Sequence, residues 1–144
     1  MTGQYDVYIA SPFFNPEQVE RVEQVKKILI EKGLTFYSPK DECVCDPNAG
    51  HDFRQKVFNM NCRAISRSKL VLAITNDKDP GTIWEAGYAF GRFKPVIYYC
   101  SGIKQFNLML AESAVAVFTD LEKLKEYDFF SNLKVRYEGE IEWI

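Results

Sequence analysis

One run of acidic, apolar and small residues in the middle of the chain has the composition expected of a reactive site. It spans 76–89, where an acid-rich loop follows the apolar run 70–74 and enters a helix through Pro80 and Gly81. Glu85 falls in the early part of that helix, among apolar and small neighbours. Desolvating a carboxylate there is costly, which favours a chemical role. The alternative is an acid stabilised by the helix macrodipole.

The segments around this run alternate between strand and helix patterns. Apolar runs predict the strands, while helical spacing with capping signals predicts the helices. The predicted strands are 7–10, 34–37, 70–74, 95–99 and 115–118, and the predicted helices are 16–32, 52–66, 82–91, 107–111 and 121–127. A polar segment, 40–51, predicts a loop long enough to be functional.

This order of elements predicts an α/β fold, a flavodoxin-like doubly wound five-stranded parallel sheet with helices on both faces. Such sheets bind ligands at the carboxyl ends of their strands, near the change in strand order. The loops at that edge are 11–15, 40–50, 76–81 and 101–106. The sequence therefore predicts where a site lies, but the fold alone does not define its chemistry.

The composition excludes several classes of protein. The 144 residues match the size of a single domain, 1–144, and the net charge of −2 provides no basic surface for nucleic acid or membrane. The absence of a leader pattern or a spanning apolar stretch predicts a cytoplasmic protein. The spacing of Cys43, Cys45, His51 and Cys62 differs from common zinc sites. Ordinary thiols, and neither metal nor cofactor, are therefore expected.

Four stretches resemble motifs of the nucleoside 2-deoxyribosyltransferases. The run 79–89 resembles the nucleophile motif, 8–14 the first-strand motif, 106–109 the third motif, and 137–139 the tail of some members. They occur in the family's order over almost the whole chain. The resemblance implies an enzyme of nucleotide salvage whose partners are 2-deoxyribonucleosides and free nucleobases.

The resemblance also implies three catalytic residues. Glu85 matches the nucleophile, which would form a covalent 2-deoxyribosyl intermediate and give ping-pong kinetics with retention. Asp79 matches an aspartate that could protonate the departing base, and its alternative is a helix N-cap. Tyr8 matches a tyrosine that hydrogen-bonds the nucleophile region, and its alternative is an ordinary strand aromatic.

Further motif positions imply substrate-binding residues. Phe13 and Phe14 match residues that wall the base pocket, with a hydrophobic staple or core position as the alternative. Asp41 matches an acid close to the base. Gly81 and Met109 lie within the matched motifs and are expected to contact substrate.

Two positions depart from the family pattern and leave the preferred base open. Asn61 stands where many transferases carry a second aspartate. An amide cannot transfer a proton, but it can orient a carboxylate or a base by hydrogen bonding. The alternative is that Asn61 is only a polar residue on an exposed helix face. Cys43 stands where some members have a base-contacting glutamine, so that contact is not expected here.

Asn107 matches a residue that reaches the sugar bound by a neighbouring subunit. The resemblance therefore implies a homo-oligomer whose active sites are completed across an interface. The alternative role for Asn107 is the N-cap of the following short helix, and the two roles are compatible.

Two other functions remain as alternatives. A 2-deoxynucleoside 5-monophosphate N-glycosidase would use water as acceptor, but it would need small hydroxyl-bearing loops around the phosphate, where this chain has Phe13 and Phe14. A non-catalytic nucleotide-binding, flavodoxin-like module would leave the motif around Glu85 unexplained.

Overall fold

A five-stranded parallel sheet forms the centre of the computed structural model, which describes residues 4–131 and 133–143. The strands are β1 (Tyr5–Ala10), β2 (Phe36–Tyr37), β3 (Ser68–Ile74), β4 (Val96–Tyr99), β5 (Gln105–Asn107), β6 (Ala116–Phe118) and β7 (Glu140–Glu142). The helices are α1 (Pro16–Glu31), α2 (Pro39–Glu42), α3 (His51–Ser66), α4 (Pro80–Gly91), α5 (Leu108–Ser113) and α6 (Leu121–Glu126). None of these helices has both the length and the apolar character needed to cross a bilayer.

The central sheet has the strand order β2-β1-β3-β4-β6, and all of its pairings are parallel. The chain moves outward from β1 to β2 and then returns to the other side of β1 with β3. This change of direction creates a crevice beyond the carboxyl ends of β1 and β3. The predicted doubly wound fold is confirmed.

Helices cover both faces of the sheet because successive strand residues point to opposite sides. Val7 and Ile9 of β1 pack with α1 and α6, whereas Tyr8 and Ala10 pack with α3 and α4. All four side chains are buried. The alternation therefore places the Tyr8 side chain on the same face as the helix that carries Glu85.

The capping signals of α1 act as the sequence predicts. The Asn15 side chain accepts a hydrogen bond from the Gln18 N–H at 2.9 Å, and Pro16 occupies the first turn. Gly33 follows the helix with a φ of 71°, a left-handed conformation that glycine adopts without strain.

Three parts of the fold differ from the sequence prediction. The second strand is shorter than 34–37, because the Leu34 N–H instead bonds the Leu29 carbonyl at the end of α1. The predicted loop 40–51 overlaps the four-residue helix α2, which begins at Pro39. A second small sheet pairs β5 with β7 in parallel, and its three-residue strands are too short for a periodic signal.

Candidate active site

A cavity of about 830 Å³ opens beside the carboxyl ends of β1 and β2. The segments after both strands, together with α3 and the first turns of α4, form its wall. Its apolar lining includes Pro12, Phe13, Phe14, Val44, Phe58 and Trp84. A largely apolar cavity with a few convergent polar groups is typical of a small-molecule site.

Glu85 and Tyr8 form a polar pair at this cavity. The Tyr8 hydroxyl donates a hydrogen bond to Glu85 Oε2. Burial raises the pKa of Glu85 to about 7; the Tyr8 hydrogen bond opposes this shift, and the nearby Asp79 charge adds to it. Burial and the proximity of Glu85 raise the pKa of Tyr8, so its hydroxyl stays protonated as a donor.

Asp79 caps α4 and also lines the cavity. Its Oδ2 accepts hydrogen bonds from the Thr82 N–H at 2.9 Å and from the Thr82 hydroxyl at 3.0 Å. The N-cap interpretation of Asp79 is therefore confirmed. No described residue donates to Oδ1, so this second oxygen is available to a ligand.

Gly81 lies in the cavity wall directly after the cap. A Cβ at this position would lie 3.2 Å from Asp79 Oδ2, closer than most contacts of a real side chain. Glycine thus lets the capping carboxylate approach the first turn of the helix, and it leaves the backbone open toward the cavity.

Phe13 and Phe14 follow β1 and wall the cavity, with ring centroids 5.0 Å apart. The Phe14 side chain is 75% exposed, which excludes a core position for it. An exposed aromatic face beside a cavity can stack on a planar ligand.

Asn61 also lies in the wall, on α3. The Tyr37 hydroxyl donates a hydrogen bond to Asn61 Oδ1 at 3.3 Å. The Tyr37 ring stacks on that of Tyr8, with centroids 5.5 Å apart and planes 11° from parallel. The stacked pair of tyrosines therefore contacts Asn61 through one hydroxyl and Glu85 through the other. Asn61 is not merely an exposed polar residue.

Asp41 does not line the Glu85 cavity. Its carboxylate pairs with Lys26 at 2.8 Å and with Lys40 at 3.6 Å, so it connects α2 to α1. The neighbouring Lys40 does line the cavity and pairs with Glu23 at 3.2 Å. In this conformation Asp41 stabilises the loop that frames the cavity.

Asn107 and Met109 are separated from Glu85 and line a different cavity of about 490 Å³. Asn107 caps α5 by accepting a hydrogen bond from the Leu110 N–H at 3.2 Å, so the capping interpretation is confirmed. The Met109 side chain is 72% exposed. Neither residue reaches the Glu85 cavity within one chain.

The structure adds residues of the site that the sequence analysis did not assign. Tyr37 contacts Asn61 of the cavity wall without lining the cavity itself, and its sequence signal is its position in register with Tyr8 on the neighbouring strand. Three thiols, Cys43, Cys45 and Cys62, also line the cavity. Within the described ranges, no group of three or more histidine, cysteine or acidic side chains could hold a metal ion.

Comparisons with known proteins match both the sequence and the fold of this chain. The model of the family described as nucleoside 2-deoxyribosyltransferase matches residues 7–129. A solved 2-deoxyribosyltransferase from the psychrotolerant bacterium Bacillus psychrosaccharolyticus is 30% identical, covering 92% of this chain and 98% of its own, with a TM-score of 0.84. No curated protein matches the chain.

Two more distant structures share the fold alone. The CMP N-glycosidase of Clostridium botulinum is 16% identical, covering 84% of this chain and 96% of its own, with a TM-score of 0.58. A conserved protein from Enterococcus faecalis is 18% identical, covering 99% of this chain and 82% of its own, with a TM-score of 0.56.

Taken with the extent of the family match, the fold and the cavity around Glu85 place this chain in the nucleoside 2-deoxyribosyltransferase family.

Proposed function

We propose that the chain is a nucleoside 2-deoxyribosyltransferase that exchanges the nucleobase of 2-deoxyribonucleosides through a covalent intermediate on Glu85. The main support is the Tyr8–Glu85 pair, a carboxylate held by a buried hydroxyl at an apolar cavity with aromatic walls. Such a cavity suits a ligand with a flat apolar part and a sugar.

In the first half-reaction, a Glu85 carboxylate oxygen attacks the anomeric carbon as the bond from that carbon to the base nitrogen breaks. The base leaves with the electron pair of that bond. The Tyr8 hydroxyl holds Oε2, which leaves Oε1 to attack. Positive charge develops on the sugar in the transition state, and the adjacent carboxylate stabilises it. A 2-hydroxyl would withdraw electrons and slow this step, so deoxy sugars are favoured.

In the second half-reaction, a nitrogen of a different base attacks the same carbon from the vacated side and displaces Glu85. Two inversions give net retention, and the first base departs before the second binds. Because the covalent intermediate is shared by all substrates, the kinetics are ping-pong.

We assign the proton transfer to Asp79. A departing base is a poor leaving group unless it is protonated, and Asp79 supplies a carboxyl group in the cavity wall. Its Oδ2 is used by the helix cap, while Oδ1 accepts no hydrogen bond from a described residue. The same oxygen would take the proton back from the incoming base.

The charges around the cavity favour an uncharged nucleoside over a nucleotide. Lys40 is the basic residue of the described lining, and it is already paired with Glu23 and Asp41. Glu85, which attacks as the carboxylate, contributes negative charge. A 5-monophosphate would enter without an unpaired cation to receive it, which disfavours the hydrolase alternative.

We also propose that a second copy of the chain completes the site. Asn107 and Met109 lie outside the Glu85 cavity of their own chain, and the Met109 side chain is largely exposed. Both could enter the cavity of a neighbouring copy, which makes a homo-oligomer the active form.

The test is to mix the purified protein with thymidine and adenine and to separate the products by chromatography, alongside Glu85→Ala. We expect 2-deoxyadenosine from the wild type and none from the variant. Free deoxyribose without a new nucleoside would instead identify a hydrolase, to be examined with 5-monophosphates. No turnover of either kind would overturn the enzyme assignment.

A further inference from the structure

Tyr37 carries a polar contact to the cavity wall that the proposed reaction does not use. The residue lies in register with Tyr8 on the neighbouring strand, and its side chain is 5% exposed. The two stacked rings direct their hydroxyl groups to different partners, Tyr8 to Glu85 and Tyr37 to Asn61. One stack therefore holds both the nucleophile and a residue of the wall.

The Tyr37 contact distinguishes the two ends of the Asn61 amide. The hydroxyl donates to Oδ1, and no described residue accepts a hydrogen bond from Nδ2. Because Oδ1 faces the hydroxyl in this structure, the donating nitrogen Nδ2 is the end of the amide that has no partner among the described residues. Burial raises the pKa of Tyr37 to about 12, so the hydroxyl keeps its proton and remains a donor.

We infer that Tyr37 is a positioning residue that holds Asn61 with its amide nitrogen turned to the cavity, so that the nucleobase must present a hydrogen-bond acceptor to this wall. The acceptor is a ring nitrogen or a carbonyl oxygen of the base. The inference rests on the proposed function, because it concerns how the same cavity selects a base.

The consequence for specificity follows from the difference between an amide and an acid. An aspartate at position 61 could accept a hydrogen bond or deliver a proton, whereas the oriented amide of Asn61 can only donate. Asn61 therefore selects and aligns a base without protonating it. The proton must come from another group, which agrees with the assignment of Asp79.

The experiment compares adenine with 1-deazaadenine, 3-deazaadenine and 7-deazaadenine, each of which replaces one ring-nitrogen acceptor by C–H. Each base is used as the acceptor with thymidine, and kcat and KM are measured separately. We expect the wild type to use one of the analogues about tenfold less efficiently than adenine, the effect of one lost hydrogen bond.

Tyr37→Phe keeps the ring stack and removes the hydroxyl. Since the amide can then turn, we expect the ratio of adenine to that analogue to fall toward one. The change should appear mainly in KM for the acceptor base. Intrinsic differences in reactivity between the bases cancel when the ratios of the two proteins are compared.

Two further variants separate this effect from damage to the fold. Tyr5→Phe removes a hydroxyl that makes no hydrogen bond with any described residue, from the ring packed edge-on against Tyr37. We expect it to keep the wild-type ratio. Asn61→Leu removes the amide at similar size and should abolish the discrimination; it provides the test if Tyr37→Phe does not fold.

The outcomes distinguish the inference from the proposed function. A wild type that transfers deoxyribose but uses adenine and all three analogues alike would overturn the inference alone. So would a Tyr37→Phe or Asn61→Leu variant that retains the wild-type ratio. A wild type with no transfer to adenine would overturn the proposed function, and the inference with it.

Discussion

Tyr8 of β1 donates a hydrogen bond to Glu85 of α4, although the two residues are 77 positions apart in the sequence. The contact exists because β1 and β3 are adjacent parallel strands, and α4 follows β3 on the face to which Tyr8 points. Burial favours the protonated form of Glu85, and the Tyr8 hydroxyl favours the ionised form. The balance of these two effects sets the pKa of Glu85.

The pH dependence of the reaction should report the ionisation of Glu85. Because the attacking form is the carboxylate and its pKa is raised to about 7, we expect kcat/KM to fall as the pH drops below that value. Removing the Tyr8 hydrogen bond takes away the effect that lowers this pKa. In Tyr8→Phe the acidic limb of the kcat/KM profile should therefore move to higher pH. A limb that stays in place, or moves to lower pH, would contradict this role of Tyr8.

The raised pKa of Glu85 also predicts that this residue lowers the free energy of unfolding when it is ionised. The pKa of Glu85 is about 7 in the folded protein against 4.5 in the unfolded chain, so stability is lost as the pH rises through this interval. At pH 8 we expect Glu85→Gln to raise the free energy of unfolding by about 3 kcal/mol, and by much less near pH 5. Urea titrations at both pH values would measure it. Glu20→Gln, on the exposed side of α1, is the matched control and should show no such pH-dependent gain.

The two proposed roles of Asp79 can be separated by two substitutions. Asparagine caps helices about as well as aspartate, but it cannot transfer a proton. Asp79→Asn should keep the wild-type stability and lower kcat by about a hundredfold or more. Asp79→Ala should lose the same activity and also about 1 kcal/mol of stability, measured by urea unfolding. Near-normal kcat in Asp79→Asn would remove Asp79 from the proton transfer.

The cavity thiols should react with an alkylating reagent in a way that depends on substrate. Cys43, Cys45 and Cys62 line the cavity and are partly exposed, whereas Cys100 is buried. We expect iodoacetamide to modify the first three before Cys100, and a bound 2-deoxyribonucleoside to slow their modification. Peptide mass spectrometry after timed quenching would identify the sites. Equal labelling of the three thiols with and without nucleoside would place the ligand elsewhere.

Completion of the site by a second copy predicts complementation between inactive variants. Glu85→Ala lacks the nucleophile, and Asn107→Ala lacks the residue proposed to reach the neighbouring cavity. After exchange of subunits, some mixed sites would contain Glu85 from one chain and Asn107 from the other. We therefore expect the mixture to regain transferase activity that neither variant has alone. If the mixture remains inactive while native mass spectrometry shows mixed oligomers, Asn107 does not complete the site of a neighbouring copy.

Local patterns were sufficient for most of the elements. Asn15, Pro16 and Gly33 mark the ends of α1, and the apolar run 70–74 lies within the buried strand β3. These signals depend on neighbours in sequence, such as a side chain that caps a nearby N–H, so they are readable without the fold. The motif around Glu85 likewise indicates the family without the tertiary structure.

The partners of the site residues required the tertiary structure. The sequence could not show that Asp41 pairs with Lys26, or that Tyr37 stacks on Tyr8 and contacts Asn61. Nor could it show the pairing of β5 with β7, whose short strands lack a periodic pattern. Such contacts join segments that are distant in the chain, and their formation depends on strand order and on the faces to which side chains point. The sequence by itself thus determined the elements, the family and the candidate nucleophile, and the packing of the sheet decided what surrounds that nucleophile.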